Sequence, residues 1–545
     1  MRIALVSREY PPFFGGGIAT YIIQASRALA EAGHDVHVFT VGHEESVEQG
    51  GNVTVHRSRF ALPDEFENKM AWGWSKFNEN LHVADLLHRA VSAAGLFDVV
   101  EFPETETPAL LALLDPDWKF PTVVDCHSPT WLLREANGLD RQRGQEFEKL
   151  QIALADEVCA PSKVTADRIK MDAGRELSVA PHPFYADDFC DRFELPTGNT
   201  VLFVGRLERL KGVVSLVDAA VMLLRQRPET KFVFAGSDTL TAPGGGSMKE
   251  HLLARIPEPM RPAFDFCGNV APEKLHGLYC AARFCVFPSI LDNFPNVCLE
   301  AMASGRTAVY GKHTGMAEMM AGSGIAADPD DIAGLERQMR RLLDDQMLCA
   351  ELGQTAFNRI RTNYSPQKFA ADRTRLYEKA IAKTGGASRI DVRVKRVPAT
   401  TWVRTTPEMA VVMRILHGGS DHLVTESEKV GNRIIGALAH LEKPERIALY
   451  GAGNHTRKLA PQFQRLKEHG IHVEAILDDN SSRHGEQIGD VKILGPEQGA
   501  RAVDAVVLSS DVAESMLWEK TEAMRNRGIE VVRLYAPKQN DRSGS

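Results

Sequence analysis

The sequence predicts an α/β protein with three successive Rossmann-like units, each a parallel sheet covered by helices. A chain of 545 residues has room for about three or four domains of ordinary size. Apolar strand patterns alternate with helical patterns along the chain, as they do in doubly wound sheets. The alternation begins afresh after two segments that are rich in polar and turn-forming residues, at 192–199 and 385–405.

The first unit, residues 1–195, alternates strands and helices from its beginning. Arg2–Ser7 is predicted as a strand, and apolar residues then recur at spacings of three and four from 18 to 32, which indicates a helix. The remaining predicted strands lie at 34–40, 97–102, 122–127 and 157–162. We therefore expect a parallel sheet with helices on its faces.

The second unit, residues 196–384, repeats the same pattern. Its predicted strands lie at 201–205, 231–236, 264–268, 284–289 and 307–310. Its predicted helices lie at 213–226, 296–304 and 365–384, the last of which closes the unit. We expect a second parallel sheet of the same kind.

A linker and a third unit follow. Residues 385–425 begin with a stretch rich in Gly, Arg and Lys and are predicted to be the linker. The third unit, 426–545, is predicted to begin with a helix at 426–441. Its strands are expected around 446–450, 472–479, 505–510 and 530–535.

Composition and charge exclude several classes of protein. The formal net charge of −8 argues against a broad nucleic-acid-binding surface. The N-terminus lacks a signal-peptide pattern, and no uninterrupted apolar run approaches the ~18 residues of a membrane span. The eight cysteines include no C-x-x-C pair, as expected for reduced thiols. We expect a cytoplasmic protein, and peripheral attachment to the inner face of a membrane is compatible with these properties.

The segment VLFVGRLERLKG, residues 201–212, indicates a specific chemistry. A strand ends at Gly205, Arg206 and Lys211 follow, and a helix is predicted from Gly212. A helix start offers free N–H groups and a partial positive charge, while arginine adds a planar fork and lysine a point charge. This combination favours the binding of a diphosphate. The alternative is that both cations are solvated surface charges.

A glycine-rich turn and a histidine are further candidates. Gly15, Gly16 and Gly17 lie between the first strand and its helix, where glycines let a ligand approach the backbone closely. The alternative is a loop without a ligand. His127 ends a predicted strand, a position at which a single histidine is more often structural than catalytic. Asp125 is expected to face away from it.

Carboxylates follow two later strands. In PSILDNFPNVCLEAMASG, Asp292 lies in the loop after a strand and Glu300 lies on the next helix among apolar neighbours. A partly buried carboxylate needs a partner, and both ribose hydroxyls and a structural arginine are candidates for Glu300. Gly315 and Glu318 form another glycine–carboxylate pair in the loop after the next strand.

The third unit contains an incomplete nucleotide-binding motif. Gly451 and Gly453 form a G-x-G turn between a strand and a helix, without the third glycine of the dinucleotide fingerprint. Asp478 and Asp479 end the next strand, where an acidic residue can bind a ribose. This unit is predicted either to bind a nucleotide or nucleotide sugar, or to serve assembly alone.

Together these segments resemble the retaining glycosyltransferases of family 4, which have the GT-B fold of two facing Rossmann-like domains. The resemblance spans residues 1–384. It rests on the order and spacing of PPFFGGGIATYI, the His127–Ser128 pair, VGRLERLKG, PSILDNFPNVCLEAMASG and TGMAE. The third unit resembles Rossmann-like modules that are attached to sugar-modifying enzymes.

The resemblance implies roles for the glycines and cations. Gly16 and Gly17 would border the donor phosphates and the acceptor. Arg206 and Lys211 would hold the donor diphosphate and stabilise it as it leaves.

The resemblance also implies roles for the carboxylates and the histidine. Asp292 would contact the donor sugar, Glu300 would bind the ribose, and His127 would lie beside the transferred sugar. Gly315 and Glu318 would complete the donor site. The residues expected in catalysis are therefore His127, Arg206, Lys211 and Asp292.

The implied function is the transfer of a sugar from a nucleoside-diphosphate sugar to a glycan, lipid-linked or small-molecule acceptor, with retention of anomeric configuration. No cofactor is required, and we expect activity without a metal. Asp292 replaces the usual glutamate of the family, and His182 stands where an asparagine is common. Two alternatives stay open, namely a GT-B-fold nucleotide-sugar epimerase and a non-catalytic scaffold that binds nucleotide sugars.

Overall fold

The chain divides into two compact units, hereafter the first and second units: Met1–Asp421, which includes the predicted units 1–195 and 196–384, and His422–Ser545, which includes the predicted unit 426–545. The first unit contains two sheets and the second unit contains a third, which confirms the predicted α/β class. The computed structural model describes residues 1–12, 16–60, 74–115, 117–139, 144–383, 434, 438, 446–451, 454–460, 463–468, 470–509 and 514–533. The predicted linker at 385–425 and Gly15 lie outside the described residues.

Eight strands form the first sheet. They are β1 (Arg2–Val6), β2 (Asp35–Gly42), β3 (Ser46–Gly50), β4 (Val53–Arg59), β5 (Val99–Pro103), β6 (Thr122–Asp125), β7 (Glu157–Ala160) and β8 (Ser178–Val179). Their order is β3-β4-β2-β1-β5-β6-β7-β8. All neighbours are parallel except β3 and β4, which form a hairpin that the sequence did not predict. The chain leaves β1 towards β2 and returns on the other side of β1 to β5, so the topological switch point lies between β1 and β5.

The described helices of this part of the chain connect the strands. They are α1 (Gly17–Glu31), α2 (Trp74–Ala93), α3 (Leu110–Leu114), α4 (Thr130–Ala136), α5 (Gly144–Leu154), α6 (Lys163–Ala173) and α7 (Ala186–Phe189). Helix α1 confirms the predicted apolar face, since Ile22, Ala25 and Leu29 are buried. These three residues pack in one core cluster with Ile3 and Leu5 of β1.

Six strands form the second sheet. They are β9 (Thr200–Val204), β10 (Lys231–Ala235), β11 (Phe264–Gly268), β12 (Phe284–Phe287), β13 (Ala308–Gly311) and β14 (Ile325–Ala327), in the order β11-β10-β9-β12-β13-β14 and all parallel. Val201 and Phe203 belong to one core cluster, whereas Leu202 and Val204 belong to another. Both faces of this sheet are therefore buried, as in other doubly wound sheets.

Eight described α-helices accompany the second sheet. They are α8 (Val213–Leu224), α9 (Met248–Arg255), α10 (Pro272–Ala281), α11 (Asn296–Ala303), α12 (Met316–Met319), α13 (Ile332–Asp344), α14 (Gln346–Asn363) and α15 (Pro366–Lys383). Helix α15 confirms the predicted closing helix. Its residues Phe369, Leu376 and Tyr377 pack in the core cluster of the first sheet, so this helix returns to the N-terminal half.

The second unit has its own parallel sheet. Its strands are β15 (Arg446–Tyr450), β16 (His472–Leu477), β17 (Gln487–Ile488), β18 (Val491–Leu494), β19 (Ala505–Leu508) and β20 (Glu530–Arg533), in the order β17-β18-β16-β15-β19-β20. Only β17 and β18 pair in antiparallel fashion among these described strands. Its described α-helices are α16 (Asn454–Leu459), α17 (Phe463–Glu468), α18 (Pro496–Gly499), α19 (Glu514–Lys520) and α20 (Glu522–Arg525).

The predicted helix at 426–441 lies outside the described residues except for Ile434 and Leu438. Both of these are buried in the core of the second unit. Across the described residues of the whole chain, no helix combines the length and the apolar character that crossing a membrane requires.

Candidate active site

Lys211 and Asp292 are in direct contact at the C-terminal edge of the second sheet. Lys211 ends the short 3-10 turn Arg209–Lys211, which lies between β9 and α8. Its Nζ is 2.6 Å from Oδ2 of Asp292, and 23% of its side chain is exposed. The same oxygen of Asp292 accepts a hydrogen bond of 3.2 Å from the hydroxyl of Ser289. The structure thus brings together two of the predicted site residues and fixes the direction of the ammonium group.

Gly212 explains how the turn reaches this position. It has a φ of +68°, and a Cβ atom on it would lie 2.0 Å from the carbonyl oxygen of Pro288. Only glycine therefore lets the turn pack against the backbone that follows β12. Helix α8, which is 12 residues long, begins at the next residue. Its N-terminus adds free N–H groups and a partial positive charge beside Lys211.

Arg206 occupies a more exposed position than Lys211. Its side chain is 65% exposed, and its Nη2 lies 3.0 Å from Oε1 of Glu208. This guanidinium group is therefore at the rim of the site and retains most of its access to solvent. Arg206 and Lys211 lie on the same loop, as the sequence predicts, but the side chain of Arg206 is the more exposed of the two.

Glu300 has a tyrosine as its partner. Its Oε2 accepts a hydrogen bond of 2.8 Å from the hydroxyl of Tyr279, which also donates to the carbonyl oxygen of Val297 at 3.2 Å. Burial raises the pKa of Glu300, and the Tyr279 hydroxyl opposes part of that rise. The sequence predicted a partly buried carboxylate here, but it did not indicate Tyr279, which lies on another helix, as the partner.

His127 lies in a buried cluster with Asp125 and His182. The Nε2 atoms of His127 and His182 each lie 3.8 Å from Oδ2 of Asp125. Oδ2 of Asp125 also accepts a hydrogen bond of 2.9 Å from Nη2 of Arg373. Burial alone would raise the pKa of Asp125, but the Arg373 guanidinium, with smaller contributions from the two histidines, outweighs burial and lowers it. Burial, with His127 nearby, lowers the pKa of His182 well below its usual range.

The expectation that Asp125 faces away from His127 was wrong. Residues two positions apart in an extended segment lie on the same side, and β6 itself ends at Asp125. Asp125 therefore turns towards the imidazole and supports it.

The same three residues form the one group of potential metal ligands within the described part of the chain. Their ligand atoms lie within 4.8 Å of one another. A divalent cation at this point would meet the Arg373 guanidinium, which is already 2.9 Å from the Asp125 carboxylate. The cluster is therefore better suited to holding two imidazoles beside a paired carboxylate than to binding a metal.

Asn293 joins the edges of the two sheets in the first unit, and the sequence analysis did not identify it. Its Nδ2 donates hydrogen bonds to the carbonyl oxygen of His127 at 2.7 Å and to the hydroxyl of Ser128 at 3.0 Å. Asn293 is 5% exposed. Because it follows Asp292, this contact places the Lys211–Asp292 pair on the edge that faces His127. Its position next to a predicted site residue was the only signal available in the sequence.

Glu318 makes a second contact between the two halves of this unit. Its Oε2 and Oε1 accept hydrogen bonds of 2.8 Å each from the backbone N–H groups of Lys163 and Val164. Its carboxylate thus caps the N-terminus of α6, where a negative charge is favourable. The predicted role of Glu318 in donor binding stays a prediction.

The three predicted glycines differ in their surroundings. Gly16 and Gly17 lie at the start of α1, and a Cβ atom on either would meet no atom of the described residues within 4 Å. Gly315 is tightly enclosed, since a Cβ atom would lie 1.7 Å from the carbonyl oxygen of Asn293. Gly315 therefore supports the position of Asn293 through close backbone packing.

In the second unit, the acidic residues of the predicted accessory site have protein partners. Oδ1 of Asp479 accepts a hydrogen bond of 2.6 Å from the hydroxyl of Tyr450, and Lys520 pairs with its other oxygen. Asp478 lies 3.1 Å from Nη1 of Arg483. Gly451 has a φ of +113°, as a tight turn after β15 requires, and Gly453 lies outside the described residues. Whether this site binds a nucleotide stays a prediction.

Two family models match the first unit. Residues 16–181 match the model described as glycosyl transferase 4-like domain, and residues 198–345 match the model described as glycosyl transferases group 1. The matched ranges include the residues of the first unit to which the resemblance assigns roles, namely Gly16, Gly17, His127, Arg206, Lys211, Asp292, Glu300, Gly315 and Glu318.

Named relatives cover most of the same part of the chain. The chain is 28% identical over 419 residues to a glycogen synthase of Mycobacterium tuberculosis, covering 69% of this chain and 94% of that protein. It is 28% identical over 435 residues to a D-inositol 3-phosphate glycosyltransferase of Salinispora tropica, covering 70% of this chain and 86% of that protein.

Solved structures of the same fold include two synthases of sugar phosphates. The sucrose-phosphate synthase of Thermosynechococcus elongatus has a TM-score of 0.55 at 20% identity, covering 70% of this chain and 99% of that chain. An α,α-trehalose 6-phosphate synthase of Burkholderia multivorans has a TM-score of 0.54 at 16% identity, covering 70% of this chain and 99% of that chain. Together with the family models, these likenesses show that the chain belongs to the group 1 glycosyltransferases of GT-B fold.

Proposed function

We propose that the first unit transfers a sugar from a nucleoside-diphosphate sugar to a hydroxyl group of a glycan, lipid-linked or small-molecule acceptor, with retention of anomeric configuration. The observation that carries this proposal is the contact of 2.6 Å between Lys211 and Asp292 beside the N-terminus of α8. At this contact a positioned ammonium group and the free backbone N–H groups of α8 lie together on the edge that faces His127.

This arrangement suits a reaction that releases a nucleoside diphosphate. Negative charge develops on the diphosphate as the bond between the sugar and the phosphate breaks. Lys211 and the start of α8 stabilise that charge most as it forms, which lowers the barrier. We assign Arg206 to the outer phosphate oxygens, because its guanidinium lies at the rim of the site and is 65% exposed.

The remaining residues would position the donor. We assign Asp292 to the sugar, Glu300 to the ribose and His127 to the face of the transferred sugar. The buried Asp125 carboxylate supports the imidazole of His127 at 3.8 Å. Asn293 holds the two edges together, which would align the donor with the acceptor and exclude water.

Donor and acceptor identity differ among the relatives. One is named for glycogen and another for inositol 3-phosphate, so family membership alone does not select an acceptor. Thermal stabilisation by UDP-, GDP- and ADP-sugars would identify the donor. Nuclear magnetic resonance of the product would then show whether the anomeric configuration is retained.

Metal-independent transfer is part of the proposal. Lys211, Arg206 and the N-terminus of α8 would supply the positive charge that a divalent cation supplies in other enzymes. Activity should therefore persist in EDTA. Activity that is lost in EDTA and restored by Mn²⁺ or Mg²⁺ would contradict this part.

Replacing Lys211 tests the central contact. Lys211→Ala should lower kcat by at least about 100-fold, the usual effect of removing one group that stabilises developing negative charge. Lys231→Ala is the matched control, because Lys231 is exposed at the N-terminal end of a strand in the same sheet. The control should change kcat less than about twofold.

The same assay separates the alternatives. Release of nucleoside diphosphate that depends on an acceptor supports transfer. Epimerised nucleotide sugar formed without any acceptor would indicate the epimerase, and donor binding without either product would indicate a scaffold. Unchanged turnover in Lys211→Ala would contradict the role of Lys211 in stabilising the leaving diphosphate.

A further inference from the structure

A cavity of about 190 Å³ lies at the switch point between β1 and β5. Its lining includes Ser7, Arg8 and Glu9 after β1, and Thr105 and Glu106 after β5. Ligands of doubly wound sheets bind at such crevices outside the carboxyl ends of the strands. This edge also carries His127 after the neighbouring β6, and His127 touches Asn293 of the second sheet. The cavity therefore lies at the edge of the first sheet that faces the candidate donor site.

Two carboxylates neutralise the cation of this cavity. Nη1 of Arg8 lies 2.9 Å from Oε2 of Glu106 and 3.3 Å from Oδ1 of Asn80, and Nη2 pairs with Glu79. Arg8 is the only cation among the described lining residues. Glu9 lines the cavity as well, so its described lining includes two carboxylates, Glu9 and Glu106, and one arginine.

The backbone after β5 is strained in a way that holds Glu106 in place. Glu106 has a φ of +67° and Thr107 a φ of +60°, values that residues other than glycine rarely adopt. The buried Glu148 accepts a hydrogen bond of 3.4 Å from the backbone N–H of Glu106. Such strain persists only where surrounding contacts fix it, and it clusters at ligand sites. Here it keeps a carboxylate against Arg8.

We propose that this cavity binds an uncharged, hydroxyl-rich acceptor sugar and discriminates against acceptors that carry a phosphate there. The Glu106 carboxylate and the Asn80 amide can accept or share hydrogen bonds with sugar hydroxyls. A phosphate monoester would find Arg8 already paired and would meet the like-charged carboxylates of Glu9 and Glu106. Glu79 and Glu106 are thus specificity-determining residues. This inference rests on the proposed transfer function.

The first test compares matched acceptors with the full-length protein. Transfer from the identified donor is measured to glucose, mannose and maltose and to their monophosphates. The value of kcat/KM should be at least tenfold higher for the free sugars that serve as acceptors than for their phosphates. Equal or higher values for the phosphates would overturn the inference, while the release of nucleoside diphosphate would leave the transfer function standing.

The second test does not require turnover. The Glu79→Gln/Glu106→Gln variant frees Arg8, so calorimetry should show at least tenfold tighter binding of inorganic phosphate than in the wild type. Adding Arg8→Ala should remove this gain, which assigns it to the cavity and not to the donor site. Unchanged phosphate affinity in the double variant, or a gain that survives Arg8→Ala, would overturn the inference.

A matched control is available in the second sheet's domain. Arg227 also pairs with two carboxylates, Glu229 and Asp344, on an exposed surface. Glu229→Gln/Asp344→Asn, which removes both of these carboxylates, should leave the phosphate affinity and the ratio of kcat/KM values as in the wild type. A tenfold gain in this control would show that any freed arginine binds phosphate and would contradict the assignment to the cavity.

Discussion

Two buried carboxyl groups support the loops around the candidate site. Glu104 accepts hydrogen bonds from the backbone N–H groups of His127 at 2.7 Å and Ser128 at 2.6 Å. Glu148 accepts hydrogen bonds from the backbone N–H and the hydroxyl of Thr130 at 2.9 Å and 2.8 Å. Burial raises the pKa of Glu148 to about 8, and the neighbouring Glu104 contributes to the rise. Burial also raises the pKa of Glu104, against the effect of His127 and the backbone N–H groups.

The pKa of Glu148 predicts a loss of stability at high pH. An unfolded glutamate titrates near about 4.3, so between that pH and about 8 the folded state binds the extra proton. The free energy of unfolding therefore falls as the pH rises through this window. Glu148→Gln cannot ionise, and between pH 6 and pH 9 it should lose less stability than the wild type by about 1–3 kcal/mol.

Urea denaturation at the two pH values measures this difference. Glu146→Gln is the control on the same helix, since Glu146 pairs with Lys149 at 3.1 Å near the surface. The control should show the same pH dependence as the wild type. A Glu148→Gln profile that parallels the wild type would contradict the assignment.

At the scale of elements, helix α6 depends on a residue from the other half of the first unit. Its N-cap Ser162 accepts a hydrogen bond from Thr165 N–H at 3.3 Å. The N–H groups of the two preceding residues have no acceptor within the helix and need one from elsewhere. Glu318 accepts from both of these, at Lys163 and Val164. One carboxylate thus completes the cap of a helix 154 positions away in sequence.

Glu318→Ala should therefore expose the first turn of α6. We expect a loss of about 0.5–2 kcal/mol in the free energy of unfolding and faster amide exchange at Lys163 and Val164. Asp345→Ala is the control, because Asp345 caps α14 through the N–H of Leu348 at 2.9 Å. It should cost similar stability and leave exchange at the two α6 amides unchanged. Equal protection of these amides in both variants would refute the capping role.

The elements themselves were largely predictable, whereas their pairings were not. Strands such as β9 and β12 are almost entirely apolar and are followed by Gly205 and Pro288, so local pattern alone predicted them. Strand β3 reads SVEQG and is mostly exposed, so it carries no apolar alternation, and its hairpin with β4 was missed. The family resemblance assigned Lys211 and Asp292 to one donor site, and the structure brings their side chains into contact.

Polar partners that are far apart in the sequence could not be predicted from the pattern of either segment. Tyr279 binds Glu300, and Arg373 binds Asp125, across 21 and 248 positions. Such contacts depend on how the helices pack against the sheets, which spacing within a single segment does not encode. For the same reason, the pairing of Arg8 with Glu106 became evident only from the fold.

At the scale of the whole molecule, one buried arginine binds helix α15 to the first sheet. Arg373 lies on α15, and its side chain is fully buried. Its Nη1 lies 3.1 Å from Oε2 of Glu101 in β5, and its Nη2 lies 2.9 Å from Oδ2 of Asp125 at the end of β6. Tyr21 and Tyr377 donate their hydroxyls to Glu101 at 2.6 Å and 2.7 Å. The carboxylates are therefore fully partnered as long as α15 stays docked.

Arg373→Met should release this helix. It leaves Glu101 and Asp125 buried without a compensating cation, which typically costs about 3–5 kcal/mol. That loss is a large part of the 5–15 kcal/mol stability of an ordinary domain, so tryptophan fluorescence from the buried Trp118 and Trp131 should report unfolding at much lower urea. Arg375→Met is the control on the same helix, because Arg375 is exposed and pairs only with the nearby Asp372 among the described residues.

The control should change the free energy of unfolding by less than about 1 kcal/mol. Adding Glu101→Gln to Arg373→Met removes one uncompensated charge, so it should recover part of the lost stability. If Arg373→Met and Arg375→Met were equally stable, the charge network around Arg373 would not hold α15 on the first sheet. The apolar contacts of Phe369, Leu376 and Tyr377 would then be sufficient to dock the helix.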